Sequence, residues 1–148
     1  MHAECLPRTA DDFVRPPHAA PGRDCHCGLH AYHEFSDDAA KIDFRGVTGI
    51  VTVWGRIEVH GVGMRAEFAR VEALGVYVHW SRRQKAAVAE VARDLGVDLA
   101  DLRELPQAAS RYGSALPLTL IPGGAAAPRA RRFEVPLTAG ERQVLVGA

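Results

Sequence analysis

The chain has 148 residues, of which 47% are apolar, and its 18 basic residues balance its 18 acidic ones to give no formal net charge. This length fits one domain with a hydrophobic core. The balanced charge provides no overall field to attract a phosphate backbone or an anionic membrane. A dedicated nucleic-acid or membrane binder is therefore disfavoured.

Three further observations predict a cytoplasmic protein. No apolar run approaches the roughly 20 residues that span a bilayer. Residues 1–12 have no basic start followed by an apolar stretch, as a signal peptide would. The three cysteines, two of them separated by a single residue, suit reduced thiols better than a disulfide framework.

Residues 1–23 are predicted to form an extended N-terminal arm, because they contain several prolines and little hydrophobic periodicity. His18 lies between Pro17 and Pro21, where a restricted backbone could hold its imidazole in place. The alternative is a solvated loop histidine.

The segment Asp24–His33 concentrates the reactive side chains of the chain. One interpretation is a helix from an Asp24 N-cap to about Ala40, with its histidines on one face. The other is a turn through Cys27 and Gly28 with the helix starting after it, which would put the sulfurs at the positive end of the helix dipole. The residues concerned are Cys25, Cys27, His26, His30 and His33.

Alternation of apolar and polar residues predicts a twisted antiparallel sheet between about Val47 and Trp80. His60–Gly63 has the permissive residues of a hairpin turn. The predicted strands are Val47–Val59, interpreted as one long strand or as two bent at Gly55, then Met64–Val71 and Val76–Trp80.

Helical signals follow the sheet. Ser81 and Gln84 form a capping box for a helix over Ser81–Leu95, and Gly96 stands where a C-terminal glycine belongs. Asp98 is predicted to cap a short second helix, Leu99–Leu105, which Pro106 would end.

The fold class predicted is α+β: a twisted antiparallel sheet covered by one long and one short helix, with a Cys/His-containing N-terminal segment. Residues 24–122 form the single domain, within which Leu116–Ile121 is an extended piece at an edge. Residues 123–148 are a linker and a C-terminal segment, of which Phe133–Leu137 could dock on the sheet as a strand.

Metal binding is the first functional hypothesis. Zinc takes four thiolate or imidazole ligands in a tetrahedron, and Cys25 and Cys27 could supply two of them. His30 or His33 would be the third, and Cys5, His18 or His60 the fourth. The alternative is that the cysteines are small, partly buried residues at a tight turn and the histidines lie on a solvated face. The candidate metal ligands are Cys25, Cys27, His18, His30 and His33.

A thiol-dependent enzyme is the second hypothesis. Cys27 would be the nucleophile, activated at a helix N-terminus with His30 or His60 as base and Glu67 as the orienting carboxylate. A disulfide between Cys25 and Cys27 is disfavoured, because a single intervening residue strains the bridge.

The polar face of the predicted sheet offers a candidate ligand-binding surface. Arg65, Glu67 and Trp54 could recognise a carboxylate, a phosphate or a base edge, or Arg65 and Glu67 could instead form ion pairs on a solvated face. Residues 84–105 have the length and the glycine turn of a helix-turn-helix. The acidic residues of the second helix would be repelled by phosphates, so nucleic-acid binding is disfavoured.

Several blocks of the sequence together resemble an uncharacterised family of proteins from high-GC actinobacteria. In that family the position of His30 is Tyr about as often as His, which implies that Cys25, Cys27 and His18 are the more important candidate ligands. The resemblance implies no reaction. The blocks are His18–Pro21, Cys25–Ala31, Val47–Arg56 and Gly63–Ala69.

These observations favour a small cytoplasmic binding or accessory module with a Cys/His zinc site, whose partner is an unknown small molecule or protein. A thiol-dependent enzyme is the first alternative. The second is a protein interaction module without a chemical site, in which Phe133–Leu137 adds a strand to a neighbour's sheet.

Overall fold

The computed structural model describes residues 1–3, 5, 18–23, 25–33, 47–123, 131–135 and 143–146. Within them the chain forms a curled six-stranded sheet and two helices, which confirms the α+β prediction. Neither of these helices is long and apolar enough to cross a membrane. In chain order the elements are β1 (Leu29–Tyr32), β2 (Gly49–Val59), β3 (Gly63–Val76), α1 (Arg82–Leu95), β4 (Asp98–Asp101), α2 (Leu105–Ala109), β5 (Arg131–Val135) and β6 (Gln143–Val146).

The β2–β3 hairpin is the centre of the sheet. Its turn is the one predicted, closed by the His60 N–H, which donates to the Gly63 carbonyl at 2.8 Å. Strand β2 is continuous, but its register with β3 shifts between Trp54 and Ile57. Gly55 lies within this bulge at a φ of 76°, a conformation that glycine adopts without strain. Of the two sequence interpretations, the single long strand is therefore the observed one, with a bulge at Gly55.

Short segments cover both outer edges of this hairpin. Strand β3 pairs with β1 near its start and with β4 near its end. Between them the Ala3 N–H donates to the Glu67 carbonyl at 2.8 Å. Strand β2 pairs with β6 along one half and with β5 along the other. The long strands thus present few unpaired backbone groups in the described part of the chain.

Strand β5 corresponds to the C-terminal strand predicted from Phe133 as far as Val135. Residues 136 and 137 lie outside the described residues. Strand β6 has no counterpart among the predictions.

The core lies against the hairpin in three clusters. The largest is built on β2 and β3 around Val53, Ile57, Val59, Met64 and Ala66. Leu105 and Ala108 of α2 pack on Ile50 and Ala73, and Val88 and Ala92 of α1 pack on Leu74. Each fully buried large apolar side chain contributes about 1.5–3 kcal/mol, so these contacts fix both helices on the sheet.

Helix α1 confirms the most specific local prediction. Ser81 Oγ accepts from the Gln84 N–H, and the Gln84 side chain reaches back to the N–H of Ser81. At the other end Gly96 has a left-handed φ of 66°. The apolar stripe is buried only in part, since Val88 and Ala92 are buried whereas Val91 and Leu95 are exposed.

The third strand predicted at Val76–Trp80 is wrong. Strand β3 itself runs on to Val76, and the Trp80 N–H then donates to the Tyr77 carbonyl at 3.0 Å in a turn. The capping box at Ser81 starts α1 immediately afterwards, so the chain has to reverse within these few residues.

The short helix predicted at Leu99–Leu105 is wrong for Leu99–Asp101, whereas Leu102–Glu104 forms a 3-10 helix that leads into α2. Asp98–Asp101 pairs in parallel with the end of β3, because α1 returns the chain to an open edge of that strand. Helix α2 begins at Leu105 with Pro106 in its first turn, where the missing N–H removes no helical hydrogen bond. The proline therefore marks the start of a helix. The extended piece predicted at Leu116–Ile121 contains instead a 3-10 turn over Leu118–Leu120.

The helix predicted from Asp24, or from the residue after Gly28, is wrong where the chain can be described. Leu29–Tyr32 is strand β1, because its backbone pairs with the free edge of β3. Residues 34–46, which include the remainder of that predicted helix, lie outside the described residues.

Candidate metal centre

Four side chains converge beside the start of β1. Their ligand atoms, three sulfurs and one imidazole nitrogen, all lie within 4.8 Å of one another. The Sγ atoms of Cys5 and Cys25 are 3.5 Å apart, and His18 Nε2 is 3.3 Å from the Sγ of Cys27. Ligands bound at 2.0–2.3 Å to a tetrahedral ion are roughly 3.3–3.8 Å apart. The group therefore has the donor set and close to the dimensions of a metal site.

The loop before β1 brings these ligands together. Ala20 and Pro21 are buried and anchor the loop, and the peptide bond between them is cis. The Gly22 N–H donates to the Sγ of Cys27 at 3.2 Å. Gly28 has a φ of 126°, and a Cβ there would lie 3.1 Å from the Cβ of Arg65. Glycine at this position lets the loop pass close over β3.

Arg65, on β3, holds this loop by hydrogen bonds to its backbone carbonyls. Its side chain, only 8% exposed, donates to the Cys25 carbonyl, to the Cys27 carbonyl at 3.2 Å and to the Gly22 carbonyl at 3.5 Å. It also pairs with the buried Glu58. Arg65 was predicted either to recognise a ligand from the polar face of the sheet or to form an ion pair on a solvated face. It forms an ion pair, but a buried one with Glu58, and it supports the ligand-bearing loop.

The cysteine thiols influence each other's protonation. A hydrogen bond from the backbone of Cys27, and a second from the thiol of Cys5, lower the pKa of Cys25 to about 6 although burial opposes this. Donating that hydrogen bond raises the pKa of Cys5 to about 11. The contact thus favours the thiol form of Cys5 and the thiolate form of Cys25. A bound dication would displace the thiol proton of Cys5, because metals bind the thiolate form.

His30 and His33 do not join the cluster. His30 is exposed, and its Nε2 lies 3.0 Å from the His26 carbonyl. His33 Nε2 lies 2.6 Å from the His60 carbonyl. The helical face that was predicted to bring them together is replaced by strand β1, which separates their side chains from the sulfurs. Cys5 was one of three residues considered for the fourth ligand, and its sulfur lies in the cluster with His18, Cys25 and Cys27.

The residues considered for thiol catalysis each contact a different partner. The Sγ of Cys27 is 3.3 Å from His18 Nε2. The Nε2 atom of His60 is 3.0 Å from Glu58, and Glu67 accepts from Arg56 at 3.2 Å. That hydrogen bond also holds the pKa of Glu67 below its usual range.

The candidate ligand-binding face carries aromatic contacts beside these ion pairs. The rings of Trp54 and Phe68 stack with centroids 5.7 Å apart. A ligand at Glu67 and Trp54 stays a prediction.

The fold and the cluster together define a small α+β protein with a Cys₃His group that could hold a metal ion. The chain matches no protein-family model, no curated protein and no solved structure. Its function has to be inferred from the chemistry of these donors and their surroundings.

Gly22 provides a first test of the geometry. A Cβ on Gly22 would lie 2.3 Å from His18 Nε2, a distance at which one of the two must move. We expect Gly22→Ala to push the imidazole out of the cluster and to weaken metal binding by at least about 10-fold, measured by competition with a chromophoric chelator. Gly123→Ala is the matched control, since no described atom lies within 4 Å of its would-be Cβ. Equal affinity of both variants would show that the imidazole is not a ligand.

Proposed function

We propose that the protein is a small cytoplasmic binding or accessory module in which Cys5, His18, Cys25 and Cys27 hold one structural zinc ion. The observation that carries the proposal is the convergence of three sulfurs and one imidazole nitrogen within 4.8 Å. Thiolate and imidazole donors in a tetrahedral arrangement favour zinc over the oxygen-seeking cations. A reducing compartment keeps such thiols available for the metal.

Two features favour a structural ion over a catalytic one. Four protein donors fill a tetrahedral ion, whereas catalytic zinc keeps a position for water or substrate. The loop is also held by contacts outside the ligand set, namely the Gly22 N–H on Cys27 and the Arg65 guanidinium on the loop carbonyls. Such outer contacts orient ligands and tune their affinity. The zinc would thus fasten the N-terminal segment to the sheet.

The direct test is intact mass. Protein purified without chelator and under reducing conditions should have a native mass greater than its denatured mass by one zinc ion, less the displaced protons. Removing the ion with a strong chelator should lower the melting temperature, because a site absent from the unfolded chain contributes its binding free energy to folding. The same native and denatured mass after incubation with excess zinc would contradict the proposal.

A further inference from the structure

A buried carboxylate connects the metal-binding loop to the C-terminal part of the sheet. Glu58 lies in β2 with its side chain 4% exposed. It stands directly opposite Arg65 on β3 and directly opposite Arg132 on β5. Both guanidinium groups pair with it, Arg65 through one carboxylate oxygen and Arg132 through the other. Three neighbouring strands are therefore joined by a single row of charges.

One end of this row depends on the loop. The guanidinium of Arg65 donates to three loop carbonyls, those of Gly22, Cys25 and Cys27, as well as to Glu58. These carbonyls belong to or adjoin the proposed ligands. A metal ion that fixes Cys25 and Cys27 also fixes the carbonyls, and so restricts where the guanidinium can lie.

The other end belongs to a strand that is far away in the sequence. Arg132 is 74 residues from Glu58, and its side chain is 36% exposed. Strand β5 pairs with β2 from Gly55 to Val59. Burying Glu58 without its two cations would cost free energy, because an uncompensated buried charge is strongly unfavourable. The position of the Glu58 carboxylate therefore affects how stably β5 pairs with β2.

We propose that metal binding at the Cys₃His group strengthens the docking of β5 on β2, with Arg65 and Glu58 as the positioning residues that connect the two. The inference rests on the proposed metal site and adds to it a second state, in which β5 is undocked. The filled site holds Arg65, Arg65 holds one oxygen of Glu58, and the other oxygen is thereby oriented toward Arg132. Because such coupling is reciprocal, docking of β5 strengthens metal binding by the same factor.

Hydrogen exchange and metal affinity, measured on the full chain, test both directions. We expect zinc to slow amide exchange in Arg131–Val135 by at least about 5-fold, the lower end of typical coupling. Exchange in α1, which packs at the far end of β3, should change much less. Arg132→Gln should remove most of the effect on β5 and lower zinc affinity by the same factor by which zinc slows β5 exchange in the unaltered chain.

Two variants separate coupling from general destabilisation. Arg132→Lys keeps a cation opposite Glu58 and should restore most of the coupling. Arg131→Gln is the matched control, because the neighbouring Arg131 donates to the Thr119 carbonyl and not to Glu58. It should leave zinc affinity within about 2-fold of the unaltered chain, well inside the coupling expected of Arg132.

The outcomes distinguish this inference from the proposed function. If zinc binds but β5 exchange does not change, or slows only as much as exchange in α1, the coupling is disproved and the metal site stands. Equal loss of zinc affinity in Arg131→Gln and Arg132→Gln would also disprove it. If no zinc binds at all, the proposed function fails, and the coupling fails with it.

Discussion

Cys5→Ser is expected to abolish tight zinc binding as completely as Cys27→Ser. Each variant removes one of three thiolates from a group with four donors, and a hydroxyl is a poor replacement for a thiolate toward zinc. The loss should exceed the 10- to 100-fold that is typical of outer contacts, and the melting temperature should fall by about 10 °C or more. Native mass and thermal melting, both under reducing conditions, measure these effects.

The informative controls are the histidines that the sequence placed among the ligands. His30→Gln and His33→Gln should retain zinc, because these imidazoles lie against backbone carbonyls and not against the sulfurs. His18→Gln should weaken binding, since His18 Nε2 lies 3.3 Å from Cys27 Sγ. The arrangement of ligands would be refuted if His33→Gln lost the metal while Cys5→Ser kept it.

The difference between these predictions and those from the sequence has a physical cause. Cys25 and Cys27 are separated only by His26, and Gly28 follows directly, so their spacing alone indicates a candidate site. Cys5 is 20 residues from its partner Cys25, and no local periodicity connects them. Its contribution depends on how the chain crosses the sheet, which propensities do not encode.

Local signals predicted the elements that depend on local interactions. The His60–Gly63 turn and the Ser81 capping box each need only a few adjacent residues, and both are present as predicted. Asp98 was also predicted to start a helix, but Asp98–Asp101 forms a strand. Its conformation is decided by the open edge of β3, an interaction with residues that are distant in the sequence.

The hairpin sequence also predicts the cross-strand pair of Glu58 and Arg65, which the alternation of apolar and polar residues alone does not reveal. With His60 and Gly63 closing the turn, antiparallel register places Glu58 directly opposite Arg65. That pair could have been predicted as soon as the turn was assigned. Its burial could not, because the loop above Arg65 and strand β5 beside Glu58 are both brought there by tertiary structure.

Glu58 is the position at which one substitution should destabilise the fold most through charge. Glu58→Ala leaves Arg65, which is 8% exposed, without its carboxylate. Breaking a buried ion pair in this way costs about 3–5 kcal/mol of unfolding free energy. Glu67→Ala is the matched control, because Glu67 pairs with the more exposed Arg56 and such pairs contribute about 0–1 kcal/mol. Urea denaturation of zinc-loaded protein measures both, and similar losses would show that Glu58→Ala does not leave Arg65 as an uncompensated buried charge.

The stabilisation that Glu58 contributes is expected to depend on pH. Burial alone would raise the pKa of Glu58, but hydrogen bonds from Arg65 and Arg132 hold it below its ordinary value of 4.5. A carboxylate whose pKa is lowered by folding stabilises the protein fully above that ordinary value. The stabilisation is lost as the pH falls from 4.5 toward the lower folded pKa.

Glu58→Gln has no carboxylate at this position and so has no such stabilisation to lose. Its difference in stability from the unaltered chain should therefore shrink over that pH range. Both proteins are measured without zinc, because Glu58→Gln is also expected to change the zinc affinity, and acid would then release the ion from the two proteins at different pH. A difference that stayed constant down to the acid transition would mean that the ionised carboxylate does not hold these three strands together.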